Sequence, residues 1–198
     1  MKSKEEVVQE YRVQSIQDAT MRVIARRGMT AATMQEIADE AGVAKGTIYL
    51  YFRDRDELVE KTFDRAITEL HQRLDAALES EGSFEQKLRA VLAAEMLFFR
   101  EHREFFRLYI SLRYPEGKRQ KRTCPQYQTR LARVAVVLEQ AMERGEIRRM
   151  DPARLALFIS EGISAVIIQR VIDESPPPEA ADIDLLAGAI VDGIRSRS

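Results

Sequence analysis

The sequence predicts an all-α protein of about nine helices, on three observations. Of the 198 residues, 45% are hydrophobic and 32% are charged, a balance that favours helices and excludes a disordered chain. Apolar residues recur every three or four positions between sparse glycines and prolines. Alternation typical of strands is nowhere sustained. The length allows one large helical domain, or a small helical domain joined to a larger one.

The helix starts are marked by residues that cap backbone N–H groups. Thr33, Asp54 and Ser83 each precede an acid or amide by three positions, the capping-box spacing, and Asp151 precedes a proline. A glycine at position 28 and another at position 42 are predicted to end helices in the left-handed conformation. The predicted helices cover residues 9–27, 34–41, 45–51, 55–80, 84–100, 103–112, 124–144, 152–174 and 182–196.

The first, fourth and fifth predicted helices each carry one apolar stripe, which predicts the face that packs inward. The stripe of the first helix consists of Val13, Ile16, Ala19, Thr20, Val23 and Ile24. The stripe of the fourth helix consists of Leu58, Phe63, Ile67, Leu70, Leu74 and Leu78, and that of the fifth helix consists of Leu88, Val91, Leu92, Met96 and Phe99.

The segment from Thr33 to Arg55 carries the functional signal. Its first short helix has an apolar stripe, Gly42 allows a tight turn, and apolar residues of the second short helix can pack back onto the stripe. Two short helices joined in this way form a helix-turn-helix, whose second helix enters the major groove of DNA. The inward residues are Met34, Ile37, Ala38, Ala41, Val43, Ile48 and Phe52, and the outward residues are Lys45, Gly46, Thr47 and Tyr49.

This segment resembles the DNA-binding signature of the tetracycline-repressor (TetR) family. The matching residues are Thr33, Ile37-Ala38, Ala41-Gly42-Val43, Lys45-Gly46-Thr47-Ile48-Tyr49, Tyr51-Phe52 and Glu57-Leu58. The resemblance implies a three-helix DNA-binding domain over residues 1–54 and a C-terminal helical bundle over residues 55–198 that binds the ligand and forms the dimer. It also implies a homodimeric repressor that binds a pseudo-palindromic double-stranded operator and is released by a small, mainly apolar effector.

By the same resemblance, each outward residue receives an expected role at the operator. Gln35, Lys45 and Tyr49 would face bases, and Gly46 would allow the backbone to approach the duplex closely. The phosphates or the groove wall would be held by Thr33, Thr47, Tyr51 and Arg55. One departure is Ala44, where the family often has serine, so a cap of about 0.5–2 kcal/mol is missing.

Charge gives no bulk argument for DNA binding. The first 60 residues hold eleven acidic side chains against nine basic ones, and the whole chain has a net charge of −1. The DNA-binding prediction therefore depends on where individual donors and cations are placed.

The later helices hold an aromatic and methionine-rich stretch that we interpret mainly as core, with a candidate ligand pocket inside it. Polar residues that interrupt its apolar pattern include Glu95 and Gln169. The candidate pocket residues are Met96, Phe99, His102, Tyr109, Tyr127 and Glu161. The last two helices carry more apolar surface than one inward face needs, so we expect them to form a four-helix dimer contact. The candidate contact residues are Phe158, Ile159, Ile163, Val166, Ile167, Leu186 and Ile190.

Other function classes are disfavoured. The single Cys124 excludes an internal disulfide and a cysteine-based zinc site, and neither His71 nor His102 has companions at metal-ligand spacing, so we expect no metal and no cofactor. Motifs of nucleophilic catalysis or phosphate binding are missing, so we expect no enzyme. The alternative is a helical interaction protein, or an enzyme on a related scaffold, without operator binding. We expect a cytoplasmic protein with no membrane segment.

Overall fold

The computed structural model describes residues 3–28, 30–103, 125–172 and 180–196. These residues form eight helices and no β-strand, which confirms the all-α prediction; Ile147 and Arg195 form an isolated antiparallel bridge. The helices are α1 (Lys4–Arg27), α2 (Met34–Ala41), α3 (Lys45–Ile48), α4 (Arg55–Glu79), α5 (Phe84–Glu101), α6 (Pro125–Glu143), α7 (Pro152–Ile172) and α8 (Ala180–Ile194).

Two predicted boundaries and one predicted backbone conformation are wrong, and one predicted helix cannot be compared. The first helix begins at Lys4 instead of residue 9, because Ser3 and Glu6 form a capping box. The third helix ends at Ile48 instead of 51, and hydrogen-bonded turns continue to Phe52. Gly28 has φ 75° and ψ 162°, so it ends α1 outside the left-handed helical region. The predicted helix 103–112 lies outside the described residues from position 104 onward.

The chain divides into two compact units. The first unit holds the described residues up to Thr68 together with His102 and Arg103, and the second holds Glu69–Glu101 and the described residues from position 125. Helix α4 begins in the first unit and ends in the second. The domain boundary expected between residues 54 and 55 stays a prediction.

The first unit is built around one apolar core supplied by α1, α2, α3 and the start of α4. Its centre combines the predicted stripes of α1 and α2 with Ile48 and Phe52, as the helix-turn-helix pattern predicts. Val13, Ala41 and Val43 pack at the edge of this core, half-buried. Burial of these aliphatic side chains is the main force that holds the short helices α2 and α3 in place, because helices of this length are marginal alone.

In the second unit, α6 packs along α7, and α5 packs against α8 and less extensively against α6 and α7. Glu146 ties the start of α5 to the segment after α6, because its carboxylate accepts a hydrogen bond from the Phe84 N–H at 2.5 Å. Within the part of the chain that the structure describes, no helix is both long and apolar enough to cross a membrane.

Candidate nucleic-acid interface

Helix α2 starts at a reciprocal capping box. The Thr33 hydroxyl accepts a hydrogen bond from the Glu36 N–H at 3.2 Å, and the Glu36 carboxylate accepts one from the Thr33 N–H at 3.1 Å. These contacts confirm the predicted box. The backbone hydrogen bond from Thr33 contributes most to lowering the pKa of Glu36, followed by the Thr33 side chain and the charge of Arg27. The cap therefore favours the charged form of Glu36.

The turn between α2 and α3 depends on Gly42, which has φ 68° and ψ 32°. Its N–H donates to the carbonyl of Asp39 at 3.2 Å, and the Val43 N–H donates to the carbonyl of Ala38 at 3.0 Å. This pair of hydrogen bonds is a Schellman motif, and it satisfies carbonyls that the end of α2 would leave unpaired. The left-handed stop predicted at Gly42 is confirmed.

Helix α3 presents a polar surface above a buried anchor. Ile48 is fully buried, whereas Lys45 and Gly46 are exposed and Tyr49 is 48% exposed just after the helix ends. Ala44 begins the helix without a side-chain cap, as the sequence predicts. The anchor fixes the rotation of α3, so Lys45 and Gly46 are exposed, whereas Thr47 is half-buried.

Leu50 is a surface residue that the sequence prediction missed. Its side chain is 78% exposed, next to Tyr49, and its N–H donates to the Thr47 carbonyl at 3.2 Å. An apolar side chain at this place on the surface can contact the thymine methyl group in the major groove. Its position beside Tyr49 was the signal that could have identified it.

Gln35 and Arg55, both predicted DNA contacts, are engaged within the chain. The Gln35 amide donates to the Asp39 carboxylate at 2.8 Å along the exposed side of α2. Arg55 Nε donates to the Ala32 carbonyl at 2.7 Å, which ties the start of α4 to the segment before α2. Thr47 and Tyr51 are half-buried, whereas Lys45 is exposed.

The acidic residues of α2 are paired with arginines of α1. Glu40 accepts from Arg22 Nε at 2.7 Å and from Arg26, and these hydrogen bonds lower the pKa of Glu40. Glu36 lies 3.3 Å from Arg27 Nε. By contrast, Lys45 forms no ion pair with another described residue. The carboxylates of α2 are therefore paired with positive charges, and the charge of Lys45 remains available.

The second unit contains a small cavity of about 40 Å³ between the end of α4 and helices α5, α6 and α7. Its walls are mostly aliphatic, and its polar side chains are Lys87, Glu95, Arg130 and Ser160.

The predicted pocket residues that the structure describes do not line this cavity. Met96 and Phe99 are buried but do not line the cavity, His102 belongs to the other unit, and the Tyr127 hydroxyl donates to Glu161. The sixth candidate, Tyr109, falls outside the described residues. The assignment of all six residues to a ligand pocket stays a prediction.

The predicted dimer residues differ in exposure. Phe158 is 72% exposed, whereas three isoleucines of α7 are buried within the chain. Leu157 and Leu185, which the sequence prediction left out, are exposed at 42% and 69%. The buried set is Ile159, Ile163 and Ile167, the half-buried set is Val166, Leu186 and Ile190, and the missed leucines are Leu157 and Leu185.

Comparison with known proteins agrees with this geometry. Residues 16–62 match the family model for bacterial regulatory proteins of the tetR family. The fatty acid metabolism regulator protein of Bacillus subtilis is 32% identical over 76 residues, 38% of this chain and 39% of that protein. The chain spans about two fifths to half of the length of the first curated relatives it matches, 39–49%.

Two other similarities extend over most of the chain. The HTH-type transcriptional regulator BetI of Brucella canis is 27% identical over 177 residues, 85% of this chain and 84% of that protein. The structure of the transcriptional regulator FadR from Bacillus subtilis in complex with stearoyl-CoA has a TM-score of 0.65 and 22% identity, covering 90% of this chain and 95% of that chain. This structural likeness shows a shared fold.

Proposed function

Because the chain belongs to the tetR family of bacterial regulatory proteins, we propose that it is a DNA-binding transcriptional repressor. The observation that carries the proposal is the α2–turn–α3 geometry, in which buried Ile48 anchors a short helix that exposes Lys45, Gly46 and Tyr49. A helix held in this way enters the major groove and reads base edges. The protein would act on double-stranded DNA in the cytoplasm, and it would not be an enzyme.

At the operator, Lys45, Tyr49 and Gln35 would contact bases, and Gly46 would allow close approach of the backbone. Gln35 must first release Asp39, its partner at 2.8 Å. The remaining four residues of the proposed interface would hold phosphates or the groove wall. These are Thr33, Thr47, Tyr51 and Arg55, of which Arg55 also positions α4 through Ala32.

We propose that two copies bind a pseudo-palindromic operator. A two-fold dimer places its recognition helices about 34–36 Å apart, so the half-sites repeat at whole turns of DNA. The exposed apolar side chains on the last two helices support an isologous contact there, because a monomer gains nothing by exposing Phe158 and Leu185 at 72% and 69%. In this dimer the outward-facing Phe158, Leu157 and Leu185 carry the contact.

A small, mainly apolar effector would bind in the second unit and lower the affinity for DNA. The Bacillus subtilis FadR structure holds stearoyl-CoA, a ligand with a long apolar chain, which supports an apolar effector here. Helix α4 runs without a break from Arg55 to Glu79, so it can carry a change in the second unit to the first. A coupling of about 1–3 kcal/mol would release DNA 5–150-fold.

The first experiment measures binding of the full chain to the DNA upstream of its own gene, or to fragments selected from the genome, by fluorescence anisotropy at several salt concentrations. Binding should weaken as salt rises. Lys45→Ala and Tyr49→Ala should weaken binding, and the matched variants Lys61→Ala and Tyr11→Ala, which change exposed residues elsewhere in the first unit, should not. Wild-type affinity in both Lys45→Ala and Tyr49→Ala would contradict the proposal.

The second experiment measures the oligomeric state by sedimentation. The wild type should be a dimer at micromolar concentration, and Phe158→Glu should shift it towards monomer. Val136→Glu, at a side chain 52% exposed on α6, is the matched control and should stay dimeric. A stable wild-type monomer would remove the dimer from the proposal.

A further inference from the structure

The cavity of the second unit contains a buried acid without a hydrogen-bond partner. Glu95 on α5 is 5% exposed, lines the cavity and makes no hydrogen bond with another described residue. Burial raises the pKa of Glu95, and the charge of Arg130 opposes that rise only in part. Glu95 is therefore protonated more readily than an exposed glutamate, and its carboxyl group is a hydrogen-bond donor when it is protonated.

Arg130, on α6, lines the same cavity and supplies a donor that is not used by another described residue. Its Nε is buried and has no hydrogen-bond partner among the residues that the structure describes, and its guanidinium carbon lies 5.3 Å from the centre of the Tyr127 ring. Lys87 also lines the cavity, with its ammonium group donating to the Leu78 carbonyl at 2.8 Å. A buried donor left unpaired costs free energy, so the site is completed by an acceptor.

We propose, on the basis of the proposed effector-controlled function, that the effector is an amphipathic carboxylic acid whose carboxylate accepts a hydrogen bond from Arg130 Nε beside Glu95. Its apolar body then packs on the aliphatic walls, among them Leu88 and Ile163. Two cationic side chains, set against one acid whose charged form is disfavoured by burial, favour an anionic head. An amine is disfavoured for two reasons. Its positive charge would need a charged Glu95 as its partner, and it would be repelled by Arg130 and Lys87.

The cavity has to widen when this ligand enters. Its volume of about 40 Å³ leaves room for only a few water molecules. Helix α5 contacts α6 and α7 much less extensively than α6 contacts α7, so moving α5 away from that pair disrupts less packing than separating α6 from α7. Binding thus selects an opened form of the second unit, and the ligand acts by its preference for that form.

The test titrates octanoate and dodecanoate, with octanol and octylamine as matched probes, into the full chain by calorimetry and thermal shift. The carboxylates should bind more tightly than the alcohol and the amine. Arg130→Met should weaken carboxylate binding about 10–100-fold, the factor expected for a hydrogen bond to a charged group, and leave octanol binding unchanged. Arg154→Met, at a side chain 89% exposed on α7, is the matched control.

Two further variants keep the test decisive. Arg130→Lys keeps the positive charge and lacks the Nε donor, so it should also weaken carboxylate binding even if Arg130→Met folds poorly. Glu95→Gln keeps a neutral donor and should retain carboxylate binding. Tighter binding of octylamine, lost in Glu95→Gln, would overturn the proposal, as would binding of octanoyl-coenzyme A without octanoate, or no carboxylate binding at all. Binding of the full chain to operator DNA, measured without any added carboxylic acid ligand, tests the proposed function separately.

Discussion

A methyl group added at Gly46 should separate DNA binding from folding. Gly46 lies in α3 with a negative φ, and a Cβ built there meets no atom within 4 Å. Alanine can therefore adopt the native backbone, and it restricts the unfolded chain more than glycine does. We expect Gly46→Ala to leave the free energy of unfolding unchanged or to raise it by up to about 1 kcal/mol.

The same methyl group should interfere with the operator. Gly46 is exposed on the face that we propose enters the major groove, so its Cβ would occupy the space that the DNA needs for close approach. Loss of one or two hydrogen bonds of about 0.5–1.5 kcal/mol corresponds to an affinity loss of roughly tenfold.

Gly42→Ala is the matched variant with the opposite outcome. A Cβ at Gly42 also meets no atom within 4 Å, so its cost comes from the backbone conformation at φ 68° alone. That cost is about 1–2 kcal/mol, which lowers the melting temperature by about 2–8 °C for a chain of this length.

Circular dichroism melts and fluorescence anisotropy with operator DNA measure both effects on the same samples. Gly46→Ala should melt at or above the wild-type temperature and bind DNA more weakly, and Gly42→Ala should melt lower and bind DNA nearly as well at a temperature where it is folded. Wild-type DNA affinity in Gly46→Ala would refute the close approach. A wild-type melting temperature in Gly42→Ala would refute the left-handed turn.

Three other substitutions test caps and charges. Thr33→Ala removes the cap of α2 and should lower the free energy of unfolding in urea by about 0.5–2 kcal/mol, whereas Thr30→Ala, at an exposed turn, should change it by less than about 0.5 kcal/mol. The pKa of Glu36 is lowered in the folded protein, so its stabilising contribution is present above its ordinary pKa of 4.5 and is lost as the pH falls. Glu36→Gln should therefore flatten the loss of stability below pH 4.5, and an unchanged acid profile would contradict this. The pKa of Glu95 is raised, so the folded state loses stability as the pH rises through that pKa. Glu95→Gln should raise the melting temperature at pH 8 and not at pH 4; an equal change at both would show that burial does not penalise the charge.

Much of the first unit could be predicted from the sequence because its signals are local. The stripe from Met34 to Ala41, the left-handed Gly42 and the anchor Ile48 lie within fifteen residues and agree with one another. The capping box of Ser3 and Glu6 also has a local signal, the serine-to-glutamate spacing, and the prediction overlooked it. Consistency between neighbouring signals is what makes a segment predictable.

The cavity and the exposed apolar face could not be predicted in this way. Helix α7 is apolar around most of its circumference, so its sequence does not tell which stripe packs within the chain, and the structure buries Ile163 and exposes Phe158. The sequence gives Arg130 the character of a surface residue. Its Nε is buried only through the packing of the second unit, in which Arg130 and Glu95 line one cavity. Such contacts depend on residues that are far apart in the chain.

The acidic balance of the first 60 residues is compatible with DNA binding once the pairing of charges is considered. Glu40 is held by Arg22 and Arg26, and Glu36 lies beside Arg27, so the carboxylates of α2 are accompanied by cations of α1. The repulsion that a duplex feels depends on these local sums and decays over about 10 Å in salt, so distant acids contribute little. The Lys45 ammonium group is exposed at the start of α3 and forms no ion pair with another described residue. A protein with a net negative charge can in this way present a positive point where the groove is read.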